Sequence, residues 1–152
     1  MKAFYDVTNQ IKTALAAEPF VKTVTFGELS DVDLGKQTIF PLAHLIINNA
    51  TVGEKIITFN ASIVCMDIVD ISKDEVTDIF VGNDNEQDIL NTQLAVLTRV
   101  LNQFQRGDLY VNKFQISEDV SCEPFVDRFE NKLAGWTATF NILLQNEMTV
   151  CS

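Results

Sequence analysis

The chain has 152 residues, of which 47% are hydrophobic and 11 are phenylalanine. This length and composition predict one folded domain with a single core, and argue against a disordered chain. The formal net charge is −10, from 11 basic and 21 acidic residues. Such a surface repels phosphate groups, so the composition argues against sequence-independent binding of nucleic acid and against binding to an anionic membrane.

The cysteine and histidine content argues against a disulfide framework and a metal site. Cys65, Cys122 and Cys151 are widely spaced and include no CxxC pair, and His44 is the single histidine. The sequence therefore predicts no metal and no cofactor. No run is long and apolar enough to span a bilayer, and polar residues interrupt residues 1–19, so no signal peptide is predicted. These features favour a protein made and kept in a cytoplasm.

A helix and then strands are predicted for the first half of the chain. Residues 4–17 carry apolar side chains at helical spacing, and Pro19 ends the helix. The apolar positions are Phe4, Val7, Ile11 and Leu15, together with Ala14. Residues 21–26 alternate like a strand. Residues 42–47 and 55–71 predict a long hairpin joined by a loop at 48–53. The second strand exceeds the usual length of about 5–6 residues, so we expect it to project beyond the core or to carry a bulge.

The central helix is predicted over residues 89–106. Asn83, Asp84 and Asn85 precede it as N-cap residues, and Gly107 follows it as a C-cap. Its apolar residues recur at every third or fourth position and form one stripe: Leu90, Leu94, Leu97, Leu101 and Phe104. The residues between them suit water or a polar partner: Asn91, Gln93, Thr98, Asn102 and Gln105.

Three strands are predicted after this helix, at residues 109–116, at residues 122–129 and in a final strand that ends at Leu144. Pro124 lacks a backbone donor, so the second of these strands is expected at a sheet edge. Alternate residues of the final strand share an apolar face that should cover the helix stripe: Trp136, Ala138, Phe140, Ile142 and Leu144. Residues 1–152 therefore predict a single α+β domain, with a mostly antiparallel sheet, a long β-hairpin and two helices packed on one face.

No motif points clearly to catalysis. A Cys65–His44 pair is arithmetically possible, but a sole histidine in an apolar strand is more often held by ordinary hydrogen bonds. Trp136 could stack on a ligand, although its alternation with small and polar residues favours core packing. Arg106-Gly107-Asp108 spells an adhesion tripeptide, and its glycine stands where the helix should end. Residues 70–88 are strongly acidic, and Lys73 with the missing central glycine favours a solvated loop over a calcium site.

The element order and the closing segment 127–144, DRFENKLAGWTATFNILL, resemble a family of bacteriophage proteins. The chain is similar to small tail-completion or tail-terminator-like proteins of tailed phages, closest to those of phages of gut Bacteroidetes, including the crAss-like phages. In that family the final strand often reads Gly-Trp followed by alternating apolar residues, as Gly135-Trp136 does here. The shared layout covers nearly the whole chain, over residues 4–17, 42–71, 89–106 and 133–144.

The resemblance implies a structural virion protein that has no catalytic activity and is assembled in the host cytoplasm. Six or twelve copies would form a closed head–tail connector ring at the neck, joining the portal side or an adaptor ring to the tail proteins. DNA would pass through the channel without specific binding. The hairpin 42–71 would pair with a neighbour's sheet edge. Loop 70–88 and tail 145–152 are the expected interaction segments, with these interface residues: Asp74, Glu75, Asp78, Ile79, Phe80, Val81, Met148 and Val150.

Two alternatives stay open at this point. One is another minor tail or ring-adaptor protein of similar fold, and the other is a small cytoplasmic ligand-binding domain or enzyme. A connector should expose an apolar patch on residues 79–81, on the hairpin or in the tail. An enzyme should instead hide its apolar residues and bring polar residues together in a pocket.

Overall fold

A computed structural model describes residues 3–27, 40–69, 86–105, 114–116, 119–128 and 132–145. These ranges contain two helices and six strands. In chain order they are α1 (Ala3–Ala16), β1 (Thr23–Phe26), β2 (Leu42–Val52), β3 (Ile56–Ile68), α2 (Glu86–Gln105), β4 (Phe114–Ile116), β5 (Ser121–Arg128) and β6 (Lys132–Gln145). No helix in the described ranges is long and apolar enough to cross a membrane.

The six strands form one sheet in the order β1-β2-β3-β6-β4, and β5 also pairs with β6. β3 is the middle of the sheet, because it pairs antiparallel with β2 on one side and with β6 along its whole length on the other. β4 and β5 share the far side of β6, β4 near its end and β5 near its start. β1 runs parallel to β2. The predicted α+β class with a mostly antiparallel sheet and a long hairpin is confirmed.

The main core lies between one face of the sheet and the two helices. On β3 and β6 every second residue points toward the helices, because successive side chains of a strand alternate between faces. The buried members of this face are Ile57, Phe59, Ala61, Ile63, Cys65, Ala138, Phe140, Ile142 and Leu144. Both helices contribute buried side chains to the same cluster, among them Val7, Ile11, Leu15, Leu97, Val100 and Phe104. The predicted burial of the central helix against the final strand is therefore confirmed.

The buried side of α2 is rotated from the predicted stripe. Leu97, Leu101 and Phe104 are buried as predicted, but Leu90 and Leu94 are only half-buried. Four other residues are buried instead: Ile89, Gln93, Val96 and Val100. Gln93 was expected to face water or a polar partner, and the first of these is wrong, since its side chain is 1% exposed.

Trp136 gives the physical reason for this rotation. Its ring packs against the main core from β6, and its Nε1–H donates a hydrogen bond of 2.7 Å to the backbone carbonyl of Leu90. This contact brings the Leu90 carbonyl over the sheet and turns the first half of α2, so that Ile89 rather than Leu90 is buried there. The core-packing interpretation of Trp136 is confirmed.

The hairpin differs from its prediction in two ways. β2 continues to Val52, so most of the predicted loop 48–53 is strand. β3 does not project beyond the sheet, because β6 accompanies it to Ile56 and Ile57 is already buried. The expected bulge lies in the partner strand, where the register of β2 against β3 shifts between Ile47 and Asn49.

Side-chain hydrogen bonds explain why a segment rich in asparagine continues as strand. On the sheet face away from the helices, Asn48 Nδ2 donates to Asn60 Oδ1 at 2.8 Å and to Ser62 Oγ at 3.1 Å. Asn60 Nδ2 donates in turn to Asn141 Oδ1 at 2.9 Å. Asparagine usually favours turns because its side chain competes for backbone groups, and here the side chains bond across strands instead.

An ion pair joins the end of α1 to α2. Arg99 Nε donates to Glu18 Oε2 at 2.8 Å, and an Arg99 terminal nitrogen is also 2.8 Å from the same oxygen. The Glu18 side chain is 8% exposed and that of Arg99 is 45% exposed. The guanidinium thus compensates a buried carboxylate, which would otherwise destabilise the folded state.

Candidate assembly surface

The interface residues predicted from the sequence lie outside the described ranges, as do the acidic segment from residue 70 to 85 and the Arg106-Gly107-Asp108 tripeptide. The residues concerned are Asp74, Glu75, Asp78, Ile79, Phe80, Val81, Met148 and Val150. Their role as an interface stays a prediction.

His44 is an ordinary buried side chain with two partners. Its Nε2 lies 2.8 Å from the carbonyl oxygen of Gly27, and its Nδ1 lies 2.6 Å from Thr25 Oγ1. A carbonyl can only accept, so Nε2 carries the proton and Nδ1 accepts from the threonine hydroxyl. Cys65 pairs in register with Ala43, one residue before His44, so the two side chains point to opposite sheet faces. The hydrogen-bond interpretation of His44 is confirmed.

Cys65 is also poorly suited to nucleophilic chemistry. Burial, with smaller contributions from the nearby charges of Cys122 and Glu18, raises the pKa of the Cys65 thiol to about 12. Burial raises the pKa of Cys122 as well. Within the described ranges no three His, Cys, Asp or Glu side chains come together as a metal site requires.

These pKa values predict a difference in thiol reactivity. At pH 8 about one Cys65 side chain in ten thousand is a thiolate, and the thiolate is the nucleophile. In the folded protein, iodoacetamide should therefore modify the half-buried Cys122 slowly and leave Cys65 unmodified, as read by peptide mass spectrometry. Denaturation in urea should make both react at one rate. Equal alkylation of the two cysteines in the native protein would contradict the burial of Cys65.

Among the described strands, none covers the outer edge of β2 over more than half of its length. β1 pairs with Leu42 to Leu45 only, and the Gly27 N–H extends this pairing by a 3.1 Å bond to the Leu45 carbonyl. No described strand borders the outer side of residues 46–52. An open edge of this kind presents unpaired backbone groups to another chain.

The hydrogen-bond pattern of the hairpin identifies which backbone groups face outward. Gly53 N–H donates to the Ile56 carbonyl at 2.9 Å, so these two residues form a hydrogen-bonded pair. Such pairs alternate along an antiparallel ladder. Thr51 is therefore bonded to β3, whereas Ala50 and Val52 turn their N–H and C=O groups away from the hairpin.

Exposed apolar side chains surround this open edge. Val52 is 72% exposed and Ile56 is 38% exposed, at the turn of the hairpin. Where β1 ends, the Phe4 ring meets the rings of Phe26 and Phe59 at centroid distances of 6.0 Å and 6.2 Å. Phe4 and Phe26 remain 44% and 43% exposed, and neighbouring Tyr5 is 67% exposed. We call residues 46–52 with these side chains the edge surface, and its composition is typical of protein interaction sites.

The opposite edge of the sheet is built differently. Among the described strands it consists of β4 and β5, which lie one after the other along the far side of β6. β5 contains Pro124, as expected for an edge strand, and the side chain of Val126 is 43% exposed. The predicted edge position of this strand is confirmed among the described strands. One copy of the chain thus has two unlike sheet edges.

The edge surface is not visible in the sequence pattern, because the pattern does not show how far β1 runs along β2. One signal was available: the predicted strand at 21–26 is followed by a much longer hairpin, which a short neighbour cannot cover. The sequence matches no protein-family model and no curated protein.

Proposed function

We propose that this protein is a structural subunit that assembles into a closed ring at the head–tail junction of a tailed bacteriophage. The observation that carries the proposal is the open outer edge of β2, flanked by exposed apolar side chains. An exposed strand edge binds a second chain by adding a strand, with main-chain hydrogen bonds for affinity and side chains for specificity. Val52 and Ile56 lie on the hairpin, which is one of the places where we expected a connector to expose an apolar patch.

The two unlike sheet edges favour a ring. Contact between the β2 edge of one copy and the β4–β5 edge of the next is heterologous, because it joins two different surfaces. Heterologous contacts close into a ring when the rotation from one copy to the next returns to the starting copy after a whole number of steps. The head–tail junction is suggested by the order of the elements and the closing Gly135-Trp136 strand. With a formal net charge of −10, such a ring would repel DNA phosphates and let the genome pass without binding it.

Native mass spectrometry across a concentration series, with negative-stain images of the same sample, tests this proposal. The full chain should form closed rings of six or twelve copies. Ala50→Pro removes an outward-facing N–H without breaking the ladder to β3, because proline is tolerated at sheet edges. This variant should stay folded by circular dichroism and fail to assemble.

Ala50→Val is the matched control, since it adds a β-branched side chain at the same position and keeps the N–H. It should assemble like the unchanged protein. A chain that stays monomeric at every concentration, or rings that persist in Ala50→Pro, would contradict assembly through this edge.

A further inference from the structure

A pocket opens at the end of the sheet that lies opposite to the hairpin turn. It is bounded by the first two turns of α2, by the segment between α1 and β1, by the residue before β2 and by the end of β3. Its volume is about 230 Å³. The lining residues are Phe20, Pro41, Asp67, Asp88, Ile89, Thr92 and Gln93. None of these lining residues belongs to the edge surface.

Gln93 is the unusual member of this pocket. Its side chain is 1% exposed, and its Oε1 has no hydrogen-bond partner among the described residues. Nearly all buried polar atoms in proteins find a partner in protein or ordered water. Because Gln93 lines the pocket, its Oε1 is an acceptor that a donor bound in the pocket could satisfy. Such a donor carries an N–H or an O–H.

The rest of the lining narrows the chemistry of that donor. Asp67 and Asp88 supply two carboxylates, and none of the described lining residues is basic. Asp67 Oδ1 accepts from the Ile68 N–H at 2.8 Å, and the other oxygen of this carboxylate is a further acceptor. Burial raises the pKa of Asp67 more than this hydrogen bond lowers it, so the pocket holds a partly desolvated negative charge. A cation bound beside this carboxylate would offset the free energy lost by removing its charge from water.

We propose that this pocket binds a guanidinium group. Guanidinium is a planar cation with five N–H donors, so it can meet the Gln93 amide oxygen and the Asp67 carboxylate at once. Phe20, which is 52% exposed, offers an aromatic face at the rim, where a guanidinium stacks favourably. The positive end of the α2 dipole amounts to about half a charge, and the two carboxylates outweigh it.

The size of the pocket suits this group and excludes larger ligands. Pockets for drug-sized molecules occupy about 300–1,000 Å³, which exceeds the volume found here. A guanidinium with a short aliphatic stem fits. It can come from an arginine side chain of another protein subunit or from a free alkyl-guanidine, and the same contacts recognise both.

The first experiment compares two probes of nearly equal shape by NMR titration of the full chain. N-acetyl-arginine amide carries the cation, and N-acetyl-citrulline amide replaces it with a neutral urea group. The arginine probe should bind saturably with a Kd of about 1 mM, and the citrulline probe should bind at least about tenfold more weakly. Equal binding of the two probes, or no saturable binding at up to about 50 mM, would overturn the proposal.

Two substitutions locate the binding. Asp67→Asn removes the charge and Gln93→Leu removes the unpaired acceptor, and each should weaken the arginine probe about tenfold. Glu54→Gln is the matched control, because it removes the same charge at the hairpin turn and should leave the Kd unchanged. Gln93→Leu should also raise the melting temperature, since an unpaired buried acceptor destabilises the folded state. A wild-type Kd in both pocket variants would overturn the site.

Light scattering with the arginine probe distinguishes the two sources. If the guanidinium belongs to a neighbouring subunit, the probe should reduce the mass of the assembly, whereas a free ligand should leave it unchanged. Both results support guanidinium recognition. Repeating the titration on Ala50→Pro separates this inference from the ring, because the pocket should bind the probe whether or not the chain assembles.

Discussion

Gly135→Ala is expected to destabilise the protein by about 3 kcal/mol or to prevent folding. A Cβ atom at this position would overlap the backbone carbonyl oxygen of Cys65 and would lie 2.8 Å from the Met66 Cα. Both obstacles belong to the backbone of β3, so no side-chain rotation can relieve them. β3 and β6 would have to separate at the Met66–Gly135 pair, in the middle of the sheet.

Urea unfolding followed by circular dichroism measures this effect. Thr139→Ala is the control on the same strand, because Thr139 is exposed and loses only its 2.9 Å hydrogen bond to Ser62. It should cost about 1 kcal/mol or less. A Gly135→Ala protein as stable as this control would show that the two strands are not as close as the structure has them.

The close approach at Gly135 gives a physical role to the dipeptide Gly135-Trp136. In the sequence alone, this dipeptide supports only the resemblance to phage tail proteins. Gly135 lets β6 approach β3, and Trp136 on the opposite face bonds to the Leu90 carbonyl of α2. These two adjacent residues thus fix the distance between β6 and β3 and the position of α2 on the sheet. Neither role can be deduced from the sequence, because both depend on atoms more than 40 positions away in the chain.

The sheet and its buried face were predictable because their signals are local. Alternation along β3 and β6 depends on the two-residue period of a strand, so Ile63 and Ala138 were correctly assigned to the core. The polar face of β3 at Asn60 and Ser62 and its apolar continuation at Met66 follow from the same period. The helices follow from the 3.6-residue period in the same way.

Features that depend on pairing between distant segments were not predictable. The parallel pairing of β1 with β2 stops at Leu45, so no described strand pairs with the outer side of residues 46–52. Asn48 continues a strand because Asn60 and Ser62 stand opposite it. Gln93 is buried because Trp136 turns α2. A glutamine located between Leu90 and Leu94 of the predicted stripe gives no sign of its burial in the sequence. The candidate surface and the pocket both arise from such non-local contacts.

Leu97→Ala is expected to cost about 3 kcal/mol, because it removes a side chain that is 0% exposed in the main core and leaves a cavity. Leu94→Ala is the matched comparison: the same change, one turn earlier in α2, at a residue that is only half-buried. It should cost about 1 kcal/mol, since less apolar area leaves water there in the folded state. The leucine stripe read from the sequence treats the two residues as equivalent, whereas the rotation of α2 toward Trp136 makes them different. Urea unfolding of the two variants side by side decides between these views, and equal losses of stability would place Leu94 in the core and contradict the orientation of the helix.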